Sequence, residues 1–172
     1  MNSKTQNFTA FLLLLALCIL VAGCGPTPQQ LTIAQKAKGK VADCKALGDR
    51  PAQRLGKCLV WNLEGDSTYP AQDRLESSIR YSEGDGPITV FLVSDKRSQQ
   101  MGTYSVSKEP AYLQWVDVCV VQFTNLTDAG TAIATHEVVS LDPRHSRPVQ
   151  YSPEYGDPIP KVAEWIQSLP TK

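Results

Sequence analysis

The chain has 172 residues and 17 basic against 17 acidic side chains, so its formal charge balances. That balance argues against a protein held on nucleic acid by phosphate contacts, which shows a basic excess. The length suits one ordinary domain, and no phosphate-cradling glycine loop occurs in it.

The first element is a leader. Lys4 precedes an apolar run, and no charged side chain occurs from Thr5 to Gln35. A short positive start, an apolar stretch and small residues before a cut site describe a secretory signal. The run closes on Val21-Ala22-Gly23-Cys24, followed by Gly25-Pro26. Val-Ala-Gly-Cys resembles the lipobox of bacterial lipoproteins, and the resemblance covers residues 1–24 alone. It implies cleavage before Cys24, diacylglycerol on the Cys24 thiol and an acyl chain on its new amino group. No signature of another cofactor is read in the chain. The competing reading is an uncleaved anchor, since the run approaches the roughly 20 apolar residues a spanning helix needs. Small residues and Gly25-Pro26 at its end favour the processing site.

The resemblance also implies a place outside the cytoplasm, held on a membrane by lipid. Gly25, rather than Asp, then points to an outer membrane facing the periplasm where the cell has one. Otherwise it points to the outer face of the plasma membrane. Cleavage removes one lysine and no acid, leaving 16 basic and 17 acidic residues.

The organisation expected is a signal at 1–23, a lipidated flexible tether at 24–40 and a single α+β domain at 41–172. Pro26, Pro28 and two glutamines suggest the tether, and a short helix at 32–38 would be limited by Gly39. From Cys58 the pattern is β. Residues 58–62 form a short apolar run ending in a turn, and Pro70 opens a helical candidate to Ile79. Residues 88–93 are apolar on both faces and read as a central strand covered on each side. Residues 100–107 and 112–123 alternate as further strands, and 131–141 runs back after a loop. Short turns between successive strands predict an antiparallel meander of about five strands. Asp157 caps a final helix whose Ile159, Val162, Ile166 and Leu169 share one face for packing on the sheet.

Three cysteines follow Cys24 in the mature chain: Cys44, Cys58 and Cys119. Outside the cytoplasm disulfides persist, and an odd number leaves at least one thiol free. Cys44–Cys58 is the preferred pair, because Gly48, Pro51 and Gly56 between them allow a tight return. Cys58–Cys119 is the rival. No close CxxC spacing occurs, and the two histidines lie far along the chain, so no metal site is expected.

Asp117, an acid within an apolar strand, is the oddest residue. A regular hairpin would bring it near His136 or Glu137, and an Asp–His pair performs acid–base work. The segment 142–157 carries three prolines and Arg144-His145-Ser146-Arg147, a candidate anion-binding loop. Two function classes follow. One is a lipid-anchored, non-enzymatic binding domain for an envelope protein, the cell wall or a ligand. The other is a small hydrolase or cell-wall-acting enzyme using Asp117 and His136. If the lipobox reading holds, mass spectrometry of the membrane fraction finds Cys24 as an acylated amino terminus, and Cys24→Ser releases or misprocesses the protein. An intact 1–23 segment would refute it.

Overall fold

The computed structural model of the protein describes residues 25–103, 108, 110–140 and 157–172. Cys24 and its lipobox, and the Arg144, His145 and Arg147 segment, lie outside the described residues.

Helix α1 (Pro28–Lys38) starts on a capping box: Thr27 Oγ1 accepts from Gln30 N, and Gln30 Oε1 accepts from Thr27 N. Pro28 occupies the first turn, where its missing N–H costs nothing. Ile33, Ala34 and Ala37 are buried, so α1 is part of the core. This corrects the tether expected at 24–40, because ordered, buried structure begins at Pro28 rather than near Val41. Helix α2 (Val41–Leu47) follows directly and buries Cys44.

Five strands form one sheet: β1 (Lys57–Asn62), β2 (Ile88–Val93), β3 (Arg97–Thr103), β4 (Pro110–Phe123) and β5 (Thr131–Ser140). A 3-10 turn, Pro70–Arg74, stands where a longer helix was predicted, and helix α3 (Pro158–Ser168) closes the described chain. The fold is α+β with a C-terminal helix, but the sheet is mixed. β1 runs parallel to β2, from Lys57↔Ile88 to Asn62↔Val93, whereas the β2–β4, β3–β4 and β4–β5 pairs are antiparallel. A pure meander would need a tight turn after β1. Instead residues 63–87 cross over, and a parallel neighbour requires a connection of that kind.

β4 organises the sheet. It pairs with β5 from Gln114 to Gln122 on one edge. Its other edge carries β2 against 118–123 and β3 against 110–115, the two strands lying in tandem. Ser94 N donates to Asp117 O at 2.9 Å between them, continuing the ladder.

Alternation sends side chains to two cores. One face holds Leu59, Trp61, Val90, Leu92, Cys119, Val121 and Phe123, packed with residues of α1 and α2. The opposite face holds Cys58, Val60, Phe91, Val93, Val116, Val118 and Val120, packed with Val162, Ala163 and Ile166 of α3. Covered on both faces, β2 is buried at all six positions. Val162 and Ile166 each contribute roughly 1.5–3 kcal/mol of burial, before chain entropy.

The outer edge of β1 is closed by its own crossover. Cys58 N donates to Ile79 O, Tyr81 N to Cys58 O and Tyr69 N to Val60 O. The buried Gln72 side chain fills the gap: its Oε1 accepts from Val60 N at 2.7 Å, and its Nε2 donates to Cys58 O and Tyr81 O. The loop after β4 is held by side chains. Asn125 Oδ1 accepts from Thr127 and Asp128, while Asp128 accepts from Thr124 and Gly130. The hydrogen bonds from Thr124 and then Gly130 hold the Asp128 carboxyl below its usual range.

Gly56 permits the parallel pairing to start. It enters β1 at φ +64°, and a Cβ there would lie 1.9 Å from the Pro87 carbonyl oxygen, which itself accepts from Lys57 N. Gly56→Ala therefore adds left-handed strain to a clash with backbone. The expected cost is roughly 2–4 kcal/mol, read as a thermal midpoint lower by about 5–15 °C. An unchanged midpoint would mean that Gly56 does not make this close approach.

Candidate functional site

Asp117 and His136 do not form a pair. Asp117 stands opposite Glu137, while His136 stands opposite Val118. Adjacent positions on a strand point to opposite faces, so the two candidate acid–base groups face opposite sides of the sheet. The one-residue difference in register was the part that the sequence left open.

Each group has other partners. Asp117 Oδ2 lies 2.6 Å from Arg97 Nη2 across the β3–β4 ladder, and the Arg97 guanidinium sits 5.4 Å from the Trp115 ring centre. The Asp117 amide donates to Ser94 Oγ at 2.9 Å. The buried acid implied by the apolar strand is thus a half-exposed residue at the rim, with Arg97 beside it. His136 stacks on Trp165 of α3, ring centres 4.5 Å apart and nearly parallel, and its Nδ1 lies 3.0 Å from Asp49 Oδ1. Trp165 in turn meets Phe91 edge-on. His136 therefore joins three elements at the edge of β5, where Thr135 N donates to Gly48 O.

The cysteine pairings expected from the sequence are both separated. Cys44 and Cys119 belong to one core cluster, and Cys58 to the cluster on the opposite face. The structure records all three as free thiols. Burial pushes the Cys58 thiol up to about 11, against the opposing pull of Arg54.

Two open clefts, each about 440 Å³, flank the start of α1. One includes Gln29, Ile33 and Leu126, and the other Gln30, Asp73, Arg80 and Tyr81. Among the described residues, no group of three or more His, Cys, Asp or Glu side chains is placed to hold a metal ion, and no helix is long and apolar enough to cross a membrane.

The feature the sequence did not signal is the β3 edge. All seven β3 residues are exposed. The large exposed hydrophobics of the described chain are Met101 (61%) on β3 and Tyr112 (42%) on the facing part of β4. A register shift between Gln100 and Gly102 leaves Met101 without an opposite residue, and such a bulge re-aims a side chain. Among the described residues, β3 pairs only with β4, so its second edge has no strand beside it. Ser98 to Thr103 carry neither charge nor proline, two of the devices that blunt an open edge. Gln114, which pairs with Ser98 on one side and Ser140 on the other, buries an Oε1 that has no hydrogen-bond partner among the described residues.

Compared with known protein families, with curated proteins and with solved structures, the chain matches none.

With no shared partner, Asp117→Asn and His136→Ala should add in stability to within about 0.5 kcal/mol. Asp117→Asn alone should cost about 0–1 kcal/mol, as exposed ion pairs do. Urea unfolding of both single variants and the double variant measures this. A coupling well above 1 kcal/mol would restore the dyad.

Proposed function

We propose that the protein is a lipid-anchored protein of the cell envelope whose domain binds a partner protein and performs no catalysis. The lipid rests on Val21-Ala22-Gly23-Cys24 and fixes the location: outside the cytoplasm, on the outer membrane facing the periplasm or on the outer face of a plasma membrane.

The observation that carries the binding role is the contrast between the sheet's edges. β1 is closed by Gln72 and the crossover, and β5 is touched by Gly48. Among the described residues β3 has no second strand beside it; it is exposed throughout and uncharged from Ser98 to Thr103, with Met101 and Tyr112 beside it. An extended segment of a partner adds to such an edge through main-chain hydrogen bonds, and side-chain contacts then select it. Arg144, His145 and Arg147 belong to this reading as anion contacts. Ser140, which precedes their segment, pairs with Gln114 across β4 from Ser98. The hydrolase alternative loses its Asp117–His136 pairing, because the two face opposite sides of the sheet.

Photo-crosslinking in intact cells tests the proposal. A crosslinker at Met101 should yield one discrete adduct, and the same group at Lys161, exposed on α3, should not. Met101→Asp, with the crosslinker moved to Tyr112, should reduce that adduct at least several-fold while changing stability by no more than about 0.5 kcal/mol. Equal labelling from both faces, or an adduct indifferent to Met101→Asp, would defeat the edge-binding reading.

A further inference from the structure

Cys44 of α2 and Cys119 of β4 meet in the core between helix and sheet. Cys44 Sγ donates to the carbonyl of Val120, the neighbour of Cys119, at 3.4 Å. Cys119 Sγ lies 3.9 Å from the carbonyl of Val41, one helical turn before Cys44, and 3.7 Å from Thr135 Oγ1. The two thiols are close enough that each shifts the other's titration, Cys119 downwards and Cys44 upwards. Cys58 is on the opposite face of the sheet and makes no such approach.

We propose that Cys44 and Cys119 are the disulfide-forming pair of this protein, joining α2 to β4, and that Cys58 remains a thiol. The export reading enters only in saying where the oxidant is met. The pairing itself rests on the geometry of the core.

The chemistry fits the pair. The contact with Cys44 holds the Cys119 thiol below its ordinary range, and the same contact, with burial, raises Cys44. A lowered thiol is the better nucleophile near neutral pH. The Cys119 thiolate attacks one sulfur of an oxidant disulfide, either an exchange catalyst or oxidised glutathione, and expels a thiolate. Cys44 then loses its proton and attacks the Cys119 sulfur of the mixed disulfide, expelling the second thiolate. Two electrons pass to the oxidant, which ends as two thiols carrying the protons the protein released. Cys44 is fully buried and Cys119 almost so. The oxidant therefore meets them before α2 docks or during its local opening, and the packed helix then shields the bond from reductant.

The test is a thiol map of the full protein in two samples. One is taken from membranes of expressing cells. The other is purified, reduced, unfolded and refolded in mixed oxidised and reduced glutathione. Both are alkylated without reductant and cut after lysine and arginine. The expected product of refolding is the 41–45 peptide joined to the 109–144 peptide, with Cys58 alkylated. Cys58→Ser should keep the link, and the linked form should melt roughly 5–15 °C above the reduced form. Three alkylated thiols after refolding, a bridge that includes Cys58, or no gain in midpoint would each overturn the pairing. A bridge after refolding with free thiols in the membrane sample would uphold the pairing and count against export.

Discussion

A strand of fourteen residues in the middle of a sheet needs hydrogen-bond partners on two edges and, where it is buried, apolar cover on two faces. β4 imposes that demand here, and most elements can be described by which of the four sides they serve. β5 takes one edge, while β2 and β3 divide the other. α1 and α2 serve one face, and α3 with the 3-10 turn serves the opposite one. Asp117 marks where the apolar cover ends. Towards Phe123 the strand is core, and towards Pro110 it becomes a ribbon whose neighbour β3 is exposed throughout.

Much of this was legible, because burial writes a period into the residues. The uninterrupted 88–93 run identified a strand covered on both sides, and all six of its residues are buried. Ile159, Val162 and Ile166 at helical spacing, after Asp157 and Pro158, marked α3, whose cap forms as Asp157 accepts from Ile159 N. The capping box Thr27-x-x-Gln30 with Pro28 was also there to be read. Its prolines and glutamines suggested a tether instead, because a helix whose buried residues are Gln30, Ile33, Ala34 and Ala37 carries a faint apolar stripe.

What could not be read depended on pairing between distant segments. Nothing local to 57–62 distinguishes a parallel neighbour from an antiparallel one, and the crossover that decides it lies outside the strand. The bulge at Ile133, where β4's partners step from Ala134 to Ala132, belongs to the relation between two strands. The same holds for the cysteines. Loop length made Cys44 and Cys58 look like partners, but alternation along β1 sends Cys58 to the far face. Register likewise turned a plausible Asp117–His136 dyad into two unrelated contacts. His136 is better understood as a bracket, joining the end of α2 to α3 around the rim of β5 through Asp49 and Trp165.

The early start of α1 has a consequence for posture. With Cys24 lipidated, as proposed, only residues 25–27 separate the acylated residue from Pro28, a leash of about 10 Å at full stretch. A domain of this size has a radius of gyration of roughly 15 Å. The body is wider than its leash is long, so it cannot tumble freely above the bilayer. On that proposal the amino-terminal end of α1 would stay next to the lipid headgroups, with the two clefts lined in part by Gln29 and Gln30 close by. A leash that short would act as a hinge pin: it would set which side of the molecule looks down and confine its search for partners to two dimensions.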